Sequence, residues 1–227
     1  MINMKHPFMM LVLILLINYL ICYYLSQYIY ATSRRIDNNK VLLKFIHYPY
    51  LTSLRFITSI VVLFLYLKFA FSIEFWVGVF LLYIVTIISF IDYNYYIIPD
   101  RFNLVILILG LCLLSNSVFN ETSIQGRIYG LASMVIISIF LILFMKYTHK
   151  EIIGGGDLKL ITAISLLIGW QNALCSIFLA SIIALLIYPF WKTKRKLIPF
   201  GPFLSLSFMI IYLYGSDLIS LYLRLLK

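Results

Sequence analysis

Residues 77–91 read VGVFLLYIVTIISFI, an unbroken apolar run that ends directly at Asp92. The run lacks the two-residue alternation of apolar and polar side chains that a membrane β-barrel strand shows. In lipid the backbone must satisfy its own hydrogen bonds, and a helix does so within a single segment. The stretch therefore predicts a membrane helix with a carboxyl group at its end.

The same pattern recurs along the whole chain. Of its 227 residues, 63% are hydrophobic and only 11% are charged, and the mean hydropathy is +1.03. Soluble domains carry about 25% charged residues, so a water-soluble fold is excluded. Since about 20 apolar residues cross a bilayer, we predict an all-α, polytopic membrane helix bundle with about eight transmembrane segments: 8–30, 51–72, 75–91, 102–119, 128–146, 158–170, 172–190 and 200–223.

The basic residues predict how these segments are oriented. They concentrate in alternate loops and segment ends, and loops of this kind face the cytoplasm. The net charge of +10 then reflects membrane topology, and nucleic acid is not an expected partner. An even number of spans places both chain ends on the same side of the membrane. Because the basic loops face the cytoplasm, that side is the outer one. The set assigned to the cytoplasmic face comprises Arg34, Arg35, Lys40, Lys44, Arg101, Lys146, Lys150, Lys159, Lys192, Lys194, Arg195 and Lys196.

Two of the eight acidic residues, Asp92 and Asp157, fall at the predicted cytoplasmic edge of the bilayer. They belong to different helices, so a bundle can bring them together. Two carboxyl groups within a few ångströms share one proton, which provides a general base and a general acid at the same place. Glycines 154–156 before Asp157 allow close backbone approach. The alternative is that the glycines form a plain interhelical turn and that Asp157 caps the next helix. Pro99 is likewise explained as a helix breaker before the following segment.

Another class of function fits the same residues. In a membrane transporter or channel, the two aspartates would bind a cation or relay protons. Such proteins often contain internal repeats, and none is visible in this sequence. The three cysteines, Cys22, Cys112 and Cys175, lie in apolar stretches without a CxxC pair, so we predict neither disulfides nor a metal site.

At these residues the chain resembles the prepilin peptidases, bacterial GxGD intramembrane aspartyl proteases. It is most similar to the short competence-type enzymes of Gram-positive bacteria. The resemblance covers roughly residues 75–227. Three matches carry it in order: Asp92 followed by Ile98-Pro99-Asp100, the run from Gly154 to Leu160 that reads GGGDLKL, and Pro199-Phe200-Gly201-Pro202 before the last segment.

The resemblance implies that Asp92 and Asp157 are the catalytic pair. Gly154, Gly155, Gly156, Pro99 and Lys159 then support the motif or bind substrate, although no chemical role follows for Lys159. Asp100 is not carried over, because the family also has asparagine there. The implied reaction removes the leader peptide from type IV prepilin-like or pseudopilin precursors at the cytoplasmic face of the membrane, in the service of competence.

The N-terminal part departs from the family pattern. We expect residues 1–74 to form a reduced membrane region and residues 75–227 to form the peptidase core. Many family members carry two CxxC pairs in a loop after the first helix, whereas the corresponding basic loop here, about residues 31–50, contains no cysteine. Proteolysis needs no cofactor on this interpretation. S-adenosylmethionine is required only if the N-methylation known in the family is retained, which the sequence leaves open.

Overall fold

The computed structural model describes residues 7–36, 49–113, 124–149, 153–187, 189 and 198–225. The regular elements in these ranges are α-helices, so the predicted all-α class is confirmed. Most of the predicted cytoplasmic loop, residues 37–48, and the basic stretch 190–197 lie outside the described residues. The helices are α1 (Pro7–Ile36), α2 (Pro49–Phe69), α3 (Ile73–Tyr95), α4 (Asp100–Cys112), α5 (Ile124–Thr148), α6 (Gly155–Ile187) and α7 (Gly201–Leu225).

The chain divides into two compact units, Met1–Tyr83 and Ile84–Lys227. In the first unit, polar side chains join the helices. Asn18 on α1 donates from Nδ2 to Ser59 Oγ on α2 at 2.8 Å, and the Tyr83 hydroxyl donates to Asn18 Oδ1 at 2.7 Å. Such hydrogen bonds stabilise helix association where lipid removes the hydrophobic driving force. The predicted functional division after residue 74 stays a prediction.

In the second unit, α6 packs against α4, α5 and α7. It is interrupted at Gly169, where φ is 81° and ψ is 167°. Asp157 before the break and Ser181 after it line one cavity, although a straight helix would separate them by about 36 Å. The chain therefore reverses direction at Gly169, so that the two halves of α6 lie side by side. We call residues 155–168 the first arm and residues 170–187 the second arm.

The break has a local cause. Backbone angles like those of Gly169 are accessible essentially only to glycine. Asn172 Nδ2 donates to Ile168 O at 3.0 Å, which satisfies a carbonyl at the end of the first arm. Helix α5 also approaches very closely, because a Cβ added at Gly130 would lie 2.8 Å from both Ser165 O and Trp170 N. The two arms correspond to the predicted segments 158–170 and 172–190.

Three helical segments are long and apolar enough to cross a membrane among the residues described: Ile73–Tyr95, Gln125–Thr148 and Trp170–Ile187. Large apolar side chains on α5 project outward, including Phe140 at 64% exposure, as expected for a lipid-facing surface. Helix α4 is shorter than its predicted segment 102–119. It ends at Cys112 after 13 residues, about 20 Å, and residues 114–119 lie outside the described part.

Candidate active site

Asp92 lies in the last turn of α3, which continues to Tyr95, beyond the predicted end at residue 91. The side chain is 5% exposed. Its Oδ2 accepts a hydrogen bond from the backbone N–H of Gly201 at 2.8 Å. Gly201 is the first residue of α7, and the first N–H groups of a helix have no partner within it. The Gly201 N–H therefore gives Asp92 a hydrogen-bond donor at the positive end of α7.

Asp157 lies in the first turn of α6, outside the three candidate membrane spans. Its Oδ1 is buried without a hydrogen-bond partner among the described residues. Burial, and then the nearby charge of Asp92, raise the pKa of the Asp157 carboxyl to about 7. This carboxyl is therefore partly protonated at neutral pH, as a general acid must be.

The two aspartates line the same two cavities. One, of about 550 Å³, is bordered mainly by apolar side chains, among them Ile161, Ile177 and Phe200; we call it the apolar lobe. The other, of about 450 Å³, is bordered by residues 97–100, by glycines 154–156 and by Lys159; we call it the polar lobe. The structure therefore brings the two predicted catalytic residues together where an apolar and a polar surface meet.

The three glycines before Asp157 differ in the space around them. A Cβ on Gly154 would lie 2.9 Å from Asp157 Oδ2, and one on Gly156 would lie 3.0 Å from Ile98 Cβ. A Cβ on Gly155 would meet nothing within 4 Å. The outer two glycines thus allow the chain to pass close to the Asp157 carboxyl and to residues 97–99. The middle position has no such requirement.

Pro99 and Lys159 lie where the start of α4 meets the first arm. Pro99 is extended, with φ −68° and ψ 129°, and directly precedes α4. Lys159 Nζ donates to both carboxylate oxygens of Asp100 at 2.8 Å. The two side chains are 58% and 69% exposed, so the pair adds about 1 kcal/mol or less to stability. The contact gives Lys159 a structural partner that the sequence did not predict.

Two residues of the site were missed from the sequence. Gly201 was noted only as part of a motif, because a backbone N–H that contacts Asp92 leaves no side-chain pattern. Tyr96 is one of several tyrosines after the apolar run, and the sequence does not predict it as a site residue. In the structure it lines both lobes and has a φ of 59°, uncommon for a residue other than glycine. Its N–H donates to Asp92 O at 2.8 Å and closes the end of α3.

No group of three or more potential metal-binding side chains occurs among the residues that the structure describes. Within the same described part of the chain, the charged side chains that line the two lobes are Asp92, Asp157, Asp100 and Lys159. Two carboxyl groups that line the same cavities can act as a general acid and a general base.

Comparison with known proteins identifies relatives of this chain. Residues 79–189, which include both aspartates, match the model of the type IV leader peptidase family. A prepilin leader peptidase/N-methyltransferase of Legionella pneumophila is 28% identical over 78% of this chain and 62% of its own length. Proteins with the same name from Haemophilus influenzae and Bacillus subtilis are 31% and 25% identical, each over 70% of this chain and over 70% and 64% of their own lengths, respectively.

This chain therefore spans less than two thirds of the first of these relatives, at 62%. No solved structure matches it significantly.

Proposed function

The chain belongs to the type IV leader peptidase family, and on that premise we propose that it is an intramembrane aspartyl endopeptidase. Its proposed substrates are type IV prepilin-like or pseudopilin precursors, from which it removes the leader peptide. The observation that carries the proposal is the pair Asp92 and Asp157, which line common cavities. Similarity to competence-type enzymes, noted above, supports a role in competence.

The proposed reaction is hydrolysis by water held between the two carboxyl groups. One carboxylate takes a proton from the water while its oxygen attacks the scissile carbonyl carbon. The other, protonated carboxyl donates its proton to the carbonyl oxygen, which gives a neutral tetrahedral diol. Transfer of a proton to the amide nitrogen then breaks the C–N bond and releases an amine and a carboxylic acid. General acid–base catalysis of this kind contributes about 10² to 10⁴ in rate.

The two lobes suggest how a precursor would lie. An apolar helix end fits the apolar lobe, and the extended leader fits the polar lobe beside residues 97–99 and the glycines. Arg101 and Lys159 near this lobe belong to the basic set that faces the cytoplasm by the positive-inside rule. This placement supports cleavage at the cytoplasmic face. A basic leader would be repelled by these side chains, so contact through the apolar segment and the aspartates is favoured.

The test is co-expression with a pseudopilin precursor from the same genome. We expect the wild-type protein to shorten the precursor on an immunoblot, and Asp92→Asn and Asp157→Asn each to reduce cleavage by at least about a hundredfold. Asp100→Asn is the matched control, since it removes a carboxylate from the polar lobe but leaves the pair intact, and it should keep cleavage.

The other outcomes are equally specific. Cleavage by either catalytic variant at the wild-type rate would exclude the aspartyl mechanism. Aspartate-dependent ion flux without cleavage would favour the transporter alternative. The mass of the shortened product would decide whether its new N-terminus is methylated, which is the only step for which we expect S-adenosylmethionine to be needed.

A further inference from the structure

The two aspartates of the site have unequal hydrogen-bond environments. Asp92 Oδ2 accepts the Gly201 N–H at 2.8 Å in a buried position. This donor belongs to the first turn of α7, so it is fixed in place and lies at the positive end of a helix. Asp157 also lies in a first helical turn, but its buried Oδ1 has no hydrogen-bond partner among the described residues.

These environments favour different protonation states. A hydrogen bond from an N–H group is stronger when the acceptor is ionised. A buried carboxyl without a donor is disfavoured in its charged form, because burial removes hydration without replacing it. A single proton shared by the pair is therefore more stable on Asp157 than on Asp92.

Among the residues that the structure describes, the other titratable side chains that line the two lobes do not reverse this preference. Tyr96 lines both lobes, as the two aspartates do, and Lys159 and Asp100 line the polar lobe. The Lys159 charge is held by Asp100, with both Nζ–O distances at 2.8 Å. The difference between the two catalytic carboxyls therefore comes from their own hydrogen bonds: Asp92 has a donor, and Asp157 Oδ1 has none among the described residues.

Resting on the proposed function, we propose that Asp92 is the ionised base that activates water, that Asp157 holds the proton and acts as the acid, and that Gly201 is the positioning residue that fixes this division. Gly201 suits this role because no side chain fits there. An added Cβ would lie 2.7 Å from Asp92 Oδ2 and 3.0 Å from Asp92 Cγ. Any other residue would push the carboxylate away from the N–H.

The experiment is labelling with dicyclohexylcarbodiimide, which reacts with carboxyl groups in their protonated form. The O–H group adds across a C=N bond of the reagent, so nothing leaves and the adduct carries the full mass of both. Asp92→Asn and Asp157→Asn each leave one catalytic carboxyl, so the two variants form a matched pair. At about pH 6, we expect Asp157 in the first variant to be labelled about tenfold faster than Asp92 in the second, as followed by peptide mass spectrometry. Equal labelling, or faster labelling of Asp92, would overturn the assignment.

Gly201→Ala tests the positioning role. In the Asp157→Asn background, it should raise labelling of Asp92 about tenfold, because the carboxylate loses its N–H donor. In the Asp92→Asn background, it should leave labelling of Asp157 unchanged, which shows that the site still folds. Unchanged labelling of Asp92 would exclude Gly201. The labelling requires no substrate, so its outcome is independent of the cleavage assay. The expected labelling without precursor cleavage would refute the proposed function and leave the assigned protonation states standing.

Discussion

Among single residues, the three glycines before Asp157 offer a sharp comparison. We predict that Gly154→Ala and Gly156→Ala each reduce cleavage strongly, since their Cβ atoms would lie 2.9 Å from Asp157 Oδ2 and 3.0 Å from Ile98 Cβ. Overpacking of this kind costs about 1–3 kcal/mol, enough to displace the Asp157 carboxyl. Gly155→Ala should cleave like the wild type, because nothing lies within 4 Å of its Cβ.

The measurement for this prediction is the initial rate of precursor cleavage by the three purified variants in detergent. Gly155→Ala is the control, as it changes the same backbone segment by the same methyl group. A loss of activity in all three variants would show that flexibility of the run matters more than the space around its first and third members.

The protonation of Asp157 predicts a dependence of cleavage on pH. Its pKa is raised from 3.8 to about 7, so the carboxyl is protonated below that pH and loses its proton above it. If Asp157 is the general acid, the rate should fall as pH rises through about 7, approaching tenfold per pH unit. Initial rates between about pH 5.5 and about pH 8.5 test this, with recovery on return to the lower pH as the control for unfolding. A rate that rises above about pH 7 would contradict the role.

The residues of the site were predictable to the extent that their signals are local. Asp92 and Asp157 stand out because carboxyl groups at the ends of apolar runs are rare, and the glycine run adjoins Asp157 in sequence. The contact from Gly201 to Asp92 joins residues far apart in the chain through a backbone group. No side-chain pattern encodes such a contact, so it emerged only from the structure.

At the level of helices, the interruption of α6 is what allows both arms to border the apolar lobe. We predict that Gly169→Ala and Gly130→Ala each lower the free energy of unfolding by about 1–3 kcal/mol. The first forces a side chain into a conformation with φ 81°. The second places a Cβ 2.8 Å from Ser165 O and Trp170 N.

Unfolding of the purified protein in mixed micelles, followed by circular dichroism, measures these losses. Gly155→Ala provides the control, since it adds the same methyl group in open space. If Gly169→Ala is as stable as the wild type, the reversal of chain direction between the two arms does not require glycine at this position.

The two arms were predicted as separate segments by length, yet the residue that joins them was not. Gly169 is a lone glycine between apolar runs, and the close approach of Gly130 on α5, where an added Cβ would lie 3.1 Å from Gly169 C, leaves no signal in the sequence. The end of α3 was predicted too early for a different reason. Hydropathy locates the edge of the apolar region, whereas the helix continues through polar residues to Tyr95. Helix α1 likewise passes through Arg34 and Arg35 to Ile36.

For the molecule as a whole, burial is distributed as a membrane requires. The first arm is almost continuously buried from Leu160 to Gly169, whereas α5 exposes Ile136, Phe140 and Leu143 at 67%, 64% and 61%. In water such a surface would drive aggregation; in lipid it is the expected exterior. Asp157 lies at the start of this buried first arm, and the outer apolar surface of α5 faces the bilayer.

The positive-inside pattern predicts which end of α5 faces the cytoplasm. The candidate span Gln125–Thr148 is long enough to cross the hydrocarbon core of about 30 Å, and Lys146 and Lys150 at its end belong to the cytoplasmic set. We predict that a membrane-impermeant maleimide labels Gln125→Cys in intact protoplasts. Tyr147→Cys should be labelled only after permeabilisation. Both positions are exposed.

The background for this experiment replaces Cys112 and Cys175 by serine, because they are exposed and half-buried, respectively, and retains the buried Cys22. Labelling of Tyr147→Cys in intact cells would invert the topology. Asp157 follows this end of α5 closely in sequence, so an inverted topology would place the site outside the cell. That result would exclude cleavage at the cytoplasmic face, while the aspartate pair and its chemistry would still stand.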